Sequence, residues 1–200
     1  SPRLHPYVLC NHTDNMRDVM TLAHELGHGL HGWLSRKQTS FNYDPPLTTA
    51  ETASVFGEML VFQDMMRREA DPNVRLAMLT GKLEDSFATV FRQISMNRFE
   101  NLMHTARREE GELPAERFSE LWMESQRAMF GSSVTLTDDY GLWWSYIPHF
   151  IGTPGYVYAY AFGELLVLAL YARYKEVGGG FADAYLEMLS RGGSDWPHVI

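Results

Sequence analysis

The run Asn15-Met16-Arg17-Asp18-Val19-Met20-Thr21-Leu22-Ala23-His24-Glu25-Leu26-Gly27-His28 decides how the rest of the chain is read. Its apolar residues Val19, Leu22, Ala23 and Leu26 recur at helical spacing, and Asp14 or Asn15 offers a side chain to cap the first amides. A helix is therefore expected from near Met16 to about Ser35. On it His24 and His28 stand four residues apart, one turn along the same face, so both imidazoles can reach one ion. Zinc accepts imidazole nitrogen at about 2.0–2.1 Å, and a catalytic site uses three protein ligands plus water. Glu25 sits one residue round the helix, where its carboxylate can reach that water rather than the ion. A carboxylate so placed can take the water's proton as it attacks a carbonyl.

Outward from this helix the pattern stays helical. Before it, Tyr7-Val8-Leu9-Cys10 follows a proline and is β-favourable, which predicts one strand. After it, Arg36 to Pro46 is polar and ends in two prolines, so it reads as a loop. Thr48 or Thr49 caps a second helix through about Arg68. Asp71-Pro72 opens a third that continues to about Glu110, with Gly81 as its candidate break. Gly111 stops it, and Pro114 starts an element reaching Met129. Gly131 to Pro154, rich in Gly, Pro, Asp and aromatic residues, reads as a structured loop. Helices over Tyr156–Glu176 and Phe181–Ser190 follow, separated by Gly178-Gly179-Gly180. The fold class is mainly α, with a minor β element near the N-terminus. Residues 1–200 read as a single domain, and neither end has the look of a natural terminus, so a piece of a longer protein is expected.

Composition narrows the partners. The chain of 200 residues is 45% hydrophobic and 21% charged, with a formal net charge of −8. Nucleic acid and anionic membrane demand clustered Lys and Arg, so neither is expected. Cys10 is the one cysteine, which rules out an internal disulfide and fits a reducing compartment. Ser1 to Pro6 shows no signal pattern. The apolar stretch Tyr156–Tyr171 is too short to span a bilayer and contains Glu164, so it reads as a buried helix. A soluble, cytoplasmic protein is the expectation.

Two histidines need a third ligand. A longer pattern, H-E-x-x-H-x-x-G-x-x-H, would put Gly at 31 and His at 34; this chain has His31 and Leu34. His31 shares a face with His28, but one straight helix does not readily wrap three ligands around an ion. It reads first as a packing or supporting residue. Glu51 opens the next helix, although Thr48-Thr49-Ala50-Glu51 also matches a capping box in which Glu51 would merely hold a backbone amide. Glu58 lies two turns further along a similar face. Helix geometry leaves Glu51 and Glu58 comparable.

Groups aimed at a developing oxyanion would come from Ile147-Pro148-His149-Phe150-Ile151-Gly152-Thr153-Pro154-Gly155-Tyr156-Val157-Tyr158-Ala159-Tyr160. His149 can offer an N–H, and Tyr156 and Tyr160 share one helix face. Taken alone, a Tyr-rich helix reads first as core with its hydroxyls satisfied. Gly152 and Gly155 would let the loop close on a ligand. Tyr140, Trp143 and Trp144 read as core.

Leu22–His28, followed by Ala50-Glu51-Thr52-Ala53-Ser54-Val55-Phe56, resembles oligoendopeptidase F and the thimet-oligopeptidase-like metallopeptidases. Leu9–Asp18 and Tyr146–Gly163 extend the likeness, and Tyr185–Ser190 does so weakly. The resemblance implies a helical zincin-like catalytic domain that holds one zinc ion and hydrolyses internal bonds of short oligopeptides. It implies Glu51 as third ligand, leaving Glu58 to bond a ligand imidazole. It also implies that His149 and Tyr156 steady the tetrahedral intermediate, with Tyr160, Gly152 and Gly155 at the substrate. Gly155 and Phe162 stand where some relatives carry other residues, which leaves the choice among the tyrosines open. Relatives carry an N-terminal part that covers the cleft, an expected partner of this chain. Two other functions fit the same residues: a zinc hydrolase of a non-peptide amide or ester, and a catalytically silent zinc-stabilised binding domain.

Overall fold

The computed structural model describes residues Pro2 to Asp195, and the segment Trp196–Ile200 lies outside them. Helix α1 spans Met16–Ser35, and Asn15 caps it by accepting the Asp18 N–H at 3.0 Å. Helices α2 (Leu47–Ala50) and α3 (Thr52–Arg68) follow, then α4 (Pro72–Phe87), a π-helical turn (Ala88–Arg92) and α5 (Gln93–Glu110). Helix α6 (Ala115–Phe130) precedes a 3₁₀ stretch, Asp138–Tyr146. Beyond it come α7 (His149–Gly152), α8 (Tyr158–Val177), a 3₁₀ turn (Gly178–Gly180) and α9 (Phe181–Ser190).

The fold is mainly α, and the expected minor β element is absent among the described residues. Tyr7–Cys10 forms no strand: Tyr7 and Leu9 are 77% and 97% exposed, and no neighbouring backbone offers a ladder. A β-favourable run becomes a strand only when a partner takes its N–H and C=O groups. The expected second helix is split at Glu51 into α2 and α3. The third is not broken at Gly81, which lies inside α4 with open space around it; the irregularity falls instead at Ala88–Arg92. The stretch Tyr156–Tyr171 is not buried throughout: Val157, Ala159, Ala161, Gly163, Glu164 and Val167 are buried, while Leu165 and Leu168 are exposed. No helix among the described residues is long and apolar enough to cross a membrane.

The chain groups into two compact units. One contains the residues up to Glu84 and from Phe162 onward; the other runs from Asp85 to Ala161. In the first, Ala53, Phe56 and Met59 of α3 pack with Val167 of α8 and with Phe181, Tyr185 and Leu189 of α9. The α9 residues are four apart, so they form one stripe, and Phe56 meets the Tyr185 ring at 4.5 Å. In the second, Met96 and Phe99 of α5 pack with Leu121, Trp122 and Met123 of α6 and with Ile147, Phe150 and Val157. Phe99 sits edge-on to both Trp122 (5.3 Å) and Phe150 (5.1 Å). Tyr140 and Trp144 pack against this core, but Trp143, read as core, is 51% exposed. Side chains one apart on a 3₁₀ turn point about 120° from one another, so both tryptophans cannot face inward.

Candidate metal centre

The centre is built where two helices touch backbone to backbone. On α1 the buried residues Ala23, Gly27, His31 and Ser35 recur every four positions. A Cβ at Gly27 would stand 2.4 Å from the Ala53 carbonyl oxygen and 2.5 Å from the Ser54 Cα; one at Gly57 would stand 3.0 Å from the Ala23 oxygen. Small residues at this four-residue spacing let α1 and α3 approach as closely as backbones can. That approach carries the imidazoles of α1 to the carboxylates at the start of α3.

Three ligand atoms converge there. His24 Nε2 and His28 Nε2 are 3.1 Å apart, and Glu51 Oε2 lies 3.4 Å from each. Among the described residues, His24, His28 and Glu51 are the one group of this kind able to hold a metal ion. A tetrahedral zinc about 2.0–2.1 Å from two ligands holds those ligands about 3.3 Å apart, so the triangle has the edge lengths the ion demands. The donor set fits as well. His24 Nδ1 donates to Glu58 Oε1 at 2.6 Å, which leaves the His24 Nε2 lone pair facing the triangle.

Glu51 owes its place to the break in the helix. It stands between α2 and α3 and is 8% exposed. Ser54 Oγ donates to its Oε2 at 3.0 Å and to its backbone oxygen at 2.9 Å. Behind it Gly163 of α8 presses close, since a Cβ there would lie 3.0 Å from the Glu51 Cβ. The side chain is not spent on capping. Burial works against its charge, but the hydrogen bond and charge of His28, then Ser54 and His24, outweigh burial and bring its pKa down to about 2.

Burial likewise pushes the His24 pKa down, yet the bond and charge of Glu58, with the charges of Glu51 and Glu25, leave it raised. Glu25 makes itself felt at the centre through this same charge on His24. His31 is not one of the three converging groups. It is 5% exposed in line with Ala23 and Gly27, and burial, with the charge of His28, lowers its pKa to about 4.

In the second unit His149, Tyr156 and Tyr160 form a cluster. His149 Nε2 and the Tyr160 hydroxyl share a hydrogen bond at 3.1 Å. The His149 ring stacks near Tyr156 at 6.1 Å, and the two tyrosine rings meet edge-on at 5.1 Å. Helix α8 begins at Tyr158, two residues later than expected, so Tyr156 ends the loop and Tyr160 sits in the first turn. Gly155 has φ 77°, a conformation that glycine adopts without cost.

Sequence reasoning passed over Gly27, Gly57, Gly163 and Ser54. Small residues at four-residue spacing on both helices, and a serine three places after Glu51, were the signals available.

Fold and site together define a mainly helical protein in which two histidines and a glutamate could hold a metal ion. Residues 3–200 match the description Peptidase family M3, and the chain belongs to that family. It is 34% identical over 193 residues to Oligopeptidase PepF of Bacillus subtilis, a match covering 96% of this chain and 29% of the relative. An oligoendopeptidase F homolog of Borreliella burgdorferi is 34% identical over 195 residues, covering 96% and 33%. The crystal structure of oligoendopeptidase-F from Enterococcus faecium superposes with a TM-score of 0.74 at 29% identity, covering 91% of this chain and 33% of that one. The chain thus spans about a third of the length of the curated relatives it matches.

Proposed function

We propose that this chain carries the metal centre of a zinc metalloendopeptidase that hydrolyses internal bonds of short oligopeptides. The observation that carries this reading is the triangle of His24 Nε2, His28 Nε2 and Glu51 Oε2, with Glu25 next to His24 along α1. Membership of a peptidase family supports the reaction, and the name oligopeptidase on a relative supports the short substrate. Structural zinc sites are closed by four ligands, often thiolates; three ligands from His and Glu suit an open, working site.

A zinc ion held there supplies a Lewis acid that polarises a carbonyl and acidifies water. Glu25 takes a proton from the attacking water and returns it to the leaving amine. Glu58 fixes the tautomer of His24, while Ser54 aims the Glu51 carboxylate. His149 and Tyr156 offer an N–H and an O–H to the oxyanion, and Tyr160 with the backbone at Gly152 and Gly155 engages the peptide. A cytoplasmic site of action is part of the proposal, supported by the single cysteine.

We also propose that turnover needs sequence beyond this chain, and that the isolated chain binds zinc but cleaves weakly. The coverage of the relatives supports this. So does the outward stripe on α1, where Val19, Leu22, Leu26, Leu30 and Trp33 are all exposed, a surface of the kind that further chain covers.

The test is Glu25→Gln in the full-length protein, with metal content and kcat on internally quenched peptides measured together. Zinc stays at the wild-type level while kcat falls about 10²- to 10⁴-fold, the usual worth of a general base. A variant that cleaves at the wild-type rate removes Glu25 from the mechanism. A wild type that hydrolyses esters or small amides but no peptide sinks the peptidase reading.

A further inference from the structure

The segment Pro148–Tyr156 carries His149 and Tyr156, and its backbone hydrogen bonds can be accounted for one by one. Ile151 and Gly152 donate to the Pro148 carbonyl, Thr153 to that of His149, and Tyr156 to that of Thr153. Pro154 has no N–H. Among the described residues, the Gly155 N–H is the backbone donor between Ile151 and Tyr156 that reaches outside the segment, and it ends on Glu100 Oε1 of α5 at 2.5 Å.

Glu100 is an unusual residue to find there. It is 3% exposed, and its second oxygen, Oε2, is buried with no hydrogen-bond partner. The His104 imidazole, on the next turn, lies 3.7 Å from the same Oε1. A buried carboxylate with one oxygen bare is a costly way to fill a core position. What it does make is one charge-assisted bond to a loop amide, stronger than a neutral acceptor would make. The flanks of the segment are anchored in the core by Ile147, Phe150 and Val157. The stretch between, Gly152 to Gly155, is exposed, and its Gly155 N–H is tied inward to the buried Glu100.

We propose that Glu100 is a positioning residue: by holding the Gly155 N–H it fixes the loop that sets His149 and Tyr156 in place. The proposal rests on the reading of those two residues as transition-state donors. Glu100 touches neither substrate nor metal; it acts through the backbone of Gly155.

Two variants of the full-length, zinc-loaded protein test this. Glu100→Leu keeps the bulk and removes the acceptor, and the freed Gly155 N–H can turn to water. Glu100→Gln keeps an acceptor oxygen and loses the charge. Hydrogen–deuterium exchange over Gly152–Tyr156 is read by mass spectrometry, alongside kcat, KM, zinc content and melting temperature. With Leu, exchange in the segment rises about tenfold or more, as loss of a bond to a charged group implies. There kcat falls about tenfold or more while KM stays within about twofold, the signature of a misplaced donor. Zinc content is unchanged, and Gln restores most of both losses. Unchanged exchange with Leu overturns the tether. Faster exchange with wild-type kcat overturns the positioning role, as does a kcat loss that simply tracks a lowered melting temperature. A wild type that cleaves no peptide overturns the proposed function and this role with it; that failure is distinguishable because it appears before any variant is made.

Discussion

The metal centre and the His149–Tyr156–Tyr160 cluster hold their polar groups in opposite ways. At the candidate centre, α1 and α3 meet with no room for a methyl group at Gly27, and His24 and Glu51 each have a hydrogen-bond partner, Glu58 and Ser54 respectively. In the cluster, His149 and Tyr156 stand on a short helix and an exposed loop whose Gly155 has open space around its Cα and donates its N–H to Glu100. An ion tolerates small error in the placing of its ligands, and regular helices supply that placing. Donors that act on a substrate arriving and leaving are better carried on a segment that can move.

The largest expected effect breaks the first region. Gly27→Ala forces a Cβ within 2.4 Å of a backbone oxygen, and no flexible side chain is there to yield. Overpacking of this kind costs about 3 kcal/mol, read by chemical denaturation, and zinc binding is lost with it. Gly81→Ala is the matched control: it meets nothing and raises stability by up to about 1 kcal/mol through helix propensity. If both alanines behave alike, the close approach of α1 and α3 does not hold the centre together.

An intermediate effect grades the same region. Glu58→Ala leaves the three ligands and removes the acceptor behind His24. Zinc affinity falls about 10- to 100-fold, as losses of such supporting bonds do, measured by competition with a chelator. Unchanged affinity would mean that the tautomer of His24 needs no outside support.

The smallest effect belongs to the second region. Gly155→Ala meets no atom but must hold φ 77°, a strain of about 1–2 kcal/mol for a residue with a Cβ. Stability falls by about that much while zinc affinity stays at the wild-type value. A loss of zinc on this substitution would erase the distinction between the two regions.

Part of the candidate metal centre was legible in the chain because local geometry carries it. The four-residue interval between His24 and His28, on a helix with a cap at Asn15, places two imidazoles together whatever surrounds them. Helix bounds were readable to within a residue or two at α1, α6 and α9 for the same reason: caps, prolines and glycines act on their own neighbours. The choice between Glu51 and Glu58 was not readable from periodicity. Glu51 lies in a break between two helices and Glu58 in the regular part of the second, so the angle between them is not the helical one.

The sequence by itself determined a helical chain with a two-histidine, one-glutamate motif and an acidic surface, since these depend on spacing and side-chain chemistry alone. The tertiary structure decided the rest, most of which depends on a partner distant in the chain. Tyr7–Cys10 is not a strand because no second strand lies beside it among the described residues. Trp143 is exposed although Trp144 packs inward. Gly27 matters because Ala53 and Ser54 face it, and Glu51 joins the histidines rather than a helix cap because α1 is pressed against α3. Glu100, a glutamate in a helix like any other by sequence, is buried against a loop more than fifty residues away; only the fold brings a carboxylate and an amide that far apart in the chain into contact.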